Sequence, residues 1–395
     1  MVQVTGSKSE SNRLLILQAL YPNLTIHNIS ESDDSVYLKK ALHSSEKTID
    51  IHHAGTAMRF LTAYFASQGN REVVLTGSSR MQERPIGILV EALQQMGAQI
   101  SFEKMEGFPP LRITGNILTE NTISIAGNTS SQYITALMLI APKLPNGLTI
   151  YLEGALTSVP YIEMTLSLLK QIGVKASFRE KTIVVEPQER IADTTVTVES
   201  DWSSASYFYS LVALSEGLKV TLKNYRKESF QGDAALVKIY EPLGVTTQFL
   251  EAENAMVLSK SNHSLENRVS FNLVDTPDIA QTIAVTCFGL GMECHLTGLH
   301  TLKIKETDRL EALKTELQKL GAKIEVDDQS LHLSPTKNIL NNVDIDTYND
   351  HRMAMAFAPL ALKTSLAIKD CRVVTKSFPT FWEDLKNIGI SVSLQ

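Results

Sequence analysis

At 395 residues the chain is long for a single hydrophobic core, so two domains are expected. Its hydrophobic content of 43% with 20% charged residues is that of a globular protein in water, and no stretch approaches the roughly 20 uninterrupted apolar residues of a membrane span. A net charge of −6 argues against broad nucleic-acid binding, which needs an excess of Lys and Arg facing the phosphates, so any basic site must be local. The three cysteines, Cys287, Cys294 and Cys371, form no C-x-x-C pair and no zinc-like spacing with histidine. With no basic, apolar or Arg/Ser-rich leader at the N-terminus, the expected location is the cytoplasm.

Along the chain, seven polar clusters each precede an apolar, helix-periodic run. In order they are Gly6-Ser7-Lys8-Ser9, Ala54-Gly55-Thr56, Asn128-Thr129-Ser130-Ser131, Glu199-Ser200-Asp201, Thr276-Pro277-Asp278, Lys305-Glu306-Thr307-Asp308-Arg309 and Asn349-Asp350-His351-Arg352. Helix starts present unpaired N–H groups and the positive end of the dipole, which suits phosphate or carboxylate. Seven such starts point to a cleft for a multiply anionic small molecule. The first cluster is not a P-loop, because the G-x-x-x-x-G-K-[ST] frame is absent.

Helical runs end on aliphatic-Gly-aliphatic steps at Gly97, Gly173, Gly244, Gly321 and Gly389, spaced 76, 71, 77 and 68 residues apart. Glycine is the expected residue just past a helix, where the backbone turns left-handed. The near-constant interval indicates an internal repeat of about six units with two helices and short strands each. Strands are expected at Glu72–Leu75, Lys181–Glu186, Lys323–Val326 and Ser391–Leu394. Three units per domain places the break near Glu199–Trp202, where no flexible linker composition appears.

Arg309 can grip a carboxylate bidentately, Glu306 can move a proton, and the nearly all-apolar helix after Arg352 would fix that arginine. Lys8, Arg13, Arg80 and Lys376 are further candidate anion ligands. Asp278 follows Pro277 at a helix start, where capping explains it equally well. The residues by themselves thus indicate an anion-binding enzyme with carboxylates available for proton transfer.

These segments, in this order, closely resemble the EPSP synthase family, the 3-phosphoshikimate 1-carboxyvinyltransferases. The resemblance lies in Gly6-Ser7-Lys8-Ser9 through Arg13, Ala54-Gly55-Thr56-Ala57-Met58-Arg59, Arg80-Met81 with Glu83-Arg84-Pro85, and Ser130-Ser131-Gln132. It continues through Ser158 to Ile162, Asp201 to Phe208, Pro277-Asp278, Lys305 to Arg309, Tyr348 to Met353, and Lys376 to Pro379. It implies an α/β fold of two domains, an inside-out α/β barrel in which each domain has three βαβαββ units whose helices converge on an interdomain cleft holding the active site. The expected domains are residues 7–200, and residues 1–6 with 201–395.

The implied reaction passes the enolpyruvyl group of phosphoenolpyruvate to the 5-hydroxyl of shikimate 3-phosphate and releases phosphate, by addition and elimination through a tetrahedral intermediate. No metal, organic cofactor or covalent enzyme intermediate is implied. The implied enzyme is a monomer, with these two small molecules as its partners. By resemblance, Lys8 touches both substrates, Ser9, Arg13, Ser130, Ser131, Ser158 and Tyr161 hold shikimate 3-phosphate, and Gln132 lies between the two. Gly55 lets phosphoenolpyruvate approach the backbone, and Arg80, Arg309, Arg352 and Lys376 hold its charges. Asp278 faces the 5-hydroxyl and Glu306 the enol carbon, with Lys8 and Lys305 assisting. Where the family usually carries Gly-Asn before Ala-Gly-Thr this chain has His52-His53, and only Met1–Thr5 precede the first motif, so a leading strand there is expected to be abbreviated. The competing readings are a catalytically silent homologue that still binds shikimate 3-phosphate, and the related UDP-N-acetylglucosamine enolpyruvyl transferase. The latter's Lys-Asn start and loop cysteine are missing from this sequence.

Overall fold

The computed structural model describes residues 1–69, 71–156, 159–261 and 265–393. It divides into two compact units, Gly6–Val198 and Met1–Thr5 with Glu199–Gln395. The chain passes from one unit to the other at Thr5–Gly6 and again at Val198–Glu199.

One motif recurs in both units. In Gly6–Val198, Thr48–Asp50 pairs in parallel with Glu72–Thr76, which pairs antiparallel with Leu111–Thr114, and that in turn with Gln99–Phe102. Helices Gly55–Ala66 and Gly87–Gln95 fill the connections, giving β-α-β-α-β-β. Thr122–Ala126, Leu148–Glu153, Thr182–Val185 and Ala176–Arg179 repeat that sheet order around helices Ser131–Ile140 and Val159–Gln171. In the other unit Arg268–Asn272, Glu293–Thr297, Leu331–Leu333 and Ile324–Val326 do so again around Ala280–Leu290 and Arg309–Lys319.

The sheet Val220–Lys223, Ala255–Lys260, Val245–Leu250 has the same order but lacks a full leading strand. Val2 takes that place as a single parallel bridge to Leu222: its N–H donates to Thr221 O at 2.8 Å, and Lys223 N–H donates to its carbonyl at 3.1 Å. Among the described residues, Met1–Thr5 supplies this one rung. Two further units keep only their parallel pair, Leu24–His27 with Thr194–Thr197 and Val343–Ile345 with Leu366–Ile368. In the first of these the leading strand comes from the far end of the same unit in sequence. The strand expected at 391–394 is not formed: residues 391–393 are irregular and Leu394 lies outside the described residues.

Local chemistry explains the regularity. Gly97, Gly173, Gly244, Gly321 and Gly389 all have positive φ, between 82° and 101°. At each, the next residue's N–H reaches back five residues (Ala98 to Leu93 O, Val174 to Leu169 O, Val245 to Tyr240 O, Ala322 to Leu317 O, Ile390 to Leu385 O), the Schellman closure. The first helix of each motif is buried around most of its circumference, as in Trp202–Leu214, where all but Ser203 are buried. That pattern belongs to a helix packed on every side. Each unit has its own buried hydrophobic cluster. No helix among the described residues is long and apolar enough to cross a membrane.

Candidate active site

All seven polar clusters stand at helix starts. In six of the seven the helix follows the leading strand of a motif, so its N-terminus emerges at the carboxyl end of a parallel strand, where ligands of α/β sheets gather. Capping fixes several starts: Ser7 accepts from Glu10 N–H, Ser130 from Gln132 N–H, Asp308 from Leu310 and Glu311 N–H, and Asp350 from Arg352 N–H.

In the unit Gly6–Val198 three helices meet at one guanidinium. Arg13 Nε donates to Thr165 Oγ1 at 2.8 Å, Nη1 to Ser9 O at 2.7 Å, and Nη2 to Thr135 Oγ1 and Tyr161 O, each at 3.2 Å. The cation also lies 5.7 Å from the Phe60 ring and 5.8 Å from that of Tyr161. These contacts gather the first turns bearing Ser9, Ser131 and Tyr161. Gln132 joins the next helix through Thr56 Oγ1, at 3.4 Å. Lys8 is the half-buried first residue of its helix. Ser158 lies outside the described residues.

The hydrogen bonds of Arg13 all end on neutral oxygens, and burial pulls its pKa down to about 10. Arg59, which sequence reasoning left without a role, is similar. Its Nη1 donates to Gly55 O at 3.1 Å and Nη2 to Pro85 O at 2.9 Å, and burial, with the neighbouring Arg84 charge, also lowers it to about 10. A Cβ on Gly55 would stand 2.5 Å from Arg84 Nη1, so the Arg84 guanidinium packs directly over this glycine. Arg59, which is buried, and Arg84 thus stand together beside Gly55, and an anion there would relieve their mutual repulsion. Arg80 differs: it is well exposed and paired with Glu83 at 2.9 Å. His52 has a φ of 51°, a conformation that favours glycine, and its ring stacks on Tyr37.

The other unit assembles the opposite balance. Arg309, 2% exposed, donates from Nε to Asp350 Oδ2 at 2.6 Å, from Nη1 to Asp278 Oδ1 at 3.0 Å and from Nη2 to Glu306 Oε2 at 2.8 Å. Burial alone would lower its pKa, but Asp350, Glu306 and Asp278 together raise it above its ordinary value. Asp278 is shared by three cations, with Arg352 Nη2 at 3.2 Å and Lys305 Nζ at 3.5 Å besides Arg309. Lys376 Nζ donates to Asn349 O at 2.6 Å.

Two members of this group have no role in the sequence reading, although Ser203 lies in the Asp201–Phe208 segment that carries the resemblance. Ser203 accepts from Arg352 Nη2 at 3.3 Å and donates to Asp233. Asp233 is buried, and that burial, with the Asp278 charge nearby, pushes its carboxyl up to about 7 against the opposing pull of Arg352 and Ser203. Asp233 sits in an ordinary-looking Gln-Gly-Asp turn, 30 residues from the serine it meets. Arg59 offered a fainter clue, an arginine one turn into an otherwise apolar helix.

The cluster in Gly6–Val198 can hold anions, and the cluster in the other unit can both hold anions and move protons. Comparison with known proteins agrees with this chemistry. A family model described as EPSP synthase (3-phosphoshikimate 1-carboxyvinyltransferase) matches residues 23–385. A 3-phosphoshikimate 1-carboxyvinyltransferase of Bacteroides fragilis (strain YCH46) is 44% identical over 100% of this chain and 96% of its own length. One from Haemophilus influenzae (strain PittEE) is 36% identical over 98% and 96%. The solved EPSP synthase of Acinetobacter baumannii superposes with a TM-score of 0.81 at 20% identity, over 99% of this chain and 96% of that one, and shares the two-domain α/β fold. The chain belongs to the EPSP synthase (3-phosphoshikimate 1-carboxyvinyltransferase) family.

Proposed function

We propose that this chain is an enolpyruvyl transferase that moves the enolpyruvyl group of phosphoenolpyruvate to the 5-hydroxyl of shikimate 3-phosphate and releases phosphate, a step of the shikimate pathway. The observation that carries the chemistry is the pair Asp278 and Glu306, both held by Arg309, with Lys305 and Arg352 also on Asp278. Membership of the family supports the choice of substrates.

In this reading Ser9, Arg13, Ser130, Ser131, Ser158 and Tyr161 hold shikimate 3-phosphate. Lys8 and Gln132 serve both substrates, while Gly55, Arg80, Arg309, Arg352 and Lys376 hold phosphoenolpyruvate. Glu306 gives a proton to the methylene carbon of phosphoenolpyruvate as the 5-hydroxyl oxygen bonds to C2 and Asp278 takes the hydroxyl proton. The resulting ketal phosphate expels phosphate and loses a methyl proton, restoring the double bond. Three cations hold Asp278 in place, and Arg352 and Lys305 can turn from it to a substrate phosphate or carboxylate. The enzyme acts as a monomer in the cytoplasm.

The test is phosphate release from the purified protein with both substrates and with each alone. Release that needs both, with an equal yield of enolpyruvyl ether, supports the reading; tight binding of shikimate 3-phosphate without release would indicate a silent homologue. Asp278→Ala and Glu306→Ala should each lower turnover by at least ~100-fold, and a near-normal rate would remove that residue from the mechanism.

A further inference from the structure

Helix Arg309–Lys319 carries Glu316 two turns after Arg309, on nearly the same face. Glu316 is fully buried, yet no step of the proposed reaction uses it. Its Oε1 accepts the Tyr348 hydroxyl at 2.6 Å, and its Oε2 accepts Lys319 Nζ at 2.7 Å and the Asp346 backbone N–H at 3.1 Å. Lys319 closes the ring by donating to Asp346 Oδ2 at 2.7 Å.

The segment so held is strained. Tyr348 and Asn349 both have a φ of 54°, two consecutive non-glycine residues in the left-handed region, which persists only where the surroundings over-determine it. The turn also has a product. Asn349 presents its carbonyl to Lys376 Nζ, and the next residue, Asp350, presents its carboxylate to Arg309 Nε and to the Arg352 N–H. The same helix therefore grips the turn at Glu316 and receives its output at Arg309.

We infer that Glu316 and Tyr348 are positioning residues: their hydrogen bond locks the left-handed turn that sets Arg309 and Lys376 for phosphoenolpyruvate. The inference rests on the proposed assignment of those two cations to that substrate. Among the described residues the Tyr348 hydroxyl bonds to Glu316 and makes no hydrogen bond to Arg309 or Lys376, so its effect on them runs through the turn. Burial, and then the Glu316 hydrogen bond, push the Tyr348 hydroxyl up to about 12, so it stays a donor throughout the working pH range. Breaking a hydrogen bond to a charged acceptor releases the turn without removing the ring.

The test uses the full chain and steady-state kinetics in both substrates, with melting temperature as the folding check. Tyr348→Phe should raise KM for phosphoenolpyruvate about 10- to 100-fold, the scale of one hydrogen bond to a charged group. KM for shikimate 3-phosphate should stay within about 2-fold, and melting within a few degrees. Glu316→Gln, which keeps an acceptor for the tyrosine, should lie between Tyr348→Phe and wild type. Lys376→Met is the control for the underlying assignment and should itself raise KM for phosphoenolpyruvate. If Lys376→Met does so and Tyr348→Phe does not, the positioning role is overturned while the assignment stands. If neither does, both fall. Equal rises for both substrates, or a lowered melting temperature with unchanged kinetics, would show the pair to be structural only and overturn the inference.

Discussion

Replacing Asp233 with Asn should make the second unit more stable, and increasingly so as the pH rises. The Asp233 carboxyl is buried and pushed up to about 7, first by that burial and then by Asp278, with Arg352 and the Ser203 hydroxyl opposing. An unfolded aspartate titrates near ~3.9, so between about pH 4 and pH 7 the folded state holds a proton that the unfolded state has released. Stability then falls as pH rises, by about 1.4 kcal/mol per unit, and levels off above pH 7. The full contribution is present below pH ~4 and is lost through pH ~7; over some three units that is about 4 kcal/mol as a ceiling. Asparagine has no such slope and keeps an oxygen to accept from Ser203. The two tryptophans, Trp202 and Trp382, both lie in the unit containing Glu199–Gln395, so intrinsic fluorescence follows its unfolding alone. Urea unfolding of both proteins at pH 5, 6, 7 and 8 should show the variant's advantage growing by about 2 to 3 kcal/mol between pH 5 and 8. Parallel profiles would refute the reasoning: Asp233 would then be ionised throughout, its burial offset by Arg352.

The same fluorescence assay should find Arg309→Met destabilised by about 3 to 5 kcal/mol, because Asp350 is left buried without its main partner; a loss under ~1 kcal/mol would mean the carboxylates find solvent. Arg80→Ala should leave thermal stability within ~0.5 kcal/mol, since its pair with Glu83 is exposed, so any fall in activity reports directly on ligand contact. Gly55→Ala must displace the end of Arg84, and KM for phosphoenolpyruvate should rise about tenfold, or ~1.4 kcal/mol, with little change in melting; an unchanged KM would separate Gly55 and Arg84 from that site.

Much of the architecture was legible because it is written locally. A glycine at five helix ends, a serine or aspartate at several starts and an apolar run after them need only neighbours within five residues, and all five glycines adopt the expected left-handed turn. Where the expectation failed, at Ser391–Leu394, the sequence alternates as a strand should, but residues 391–393 form no ladder. A strand needs a partner, and alternation cannot supply one. Likewise, nothing local shows that the leading strand for Leu24–His27 is Thr194–Thr197, or that Val2 contributes one rung beside Leu222.

The sequence by itself determined the repeat, the seven helix starts and, through motif order, the family. Tertiary structure alone decided what surrounds each charge. Arg13, in the second turn of its helix, and Arg309, at the start of its own, are both buried arginines, yet one lies among hydroxyls and carbonyls and the other among three carboxylates. Their partners come from 31 to 152 residues away, apart from those on their own helical turns. The energy of a charge depends on what lies within a few ångströms of it, and that neighbourhood exists only once the chain has folded.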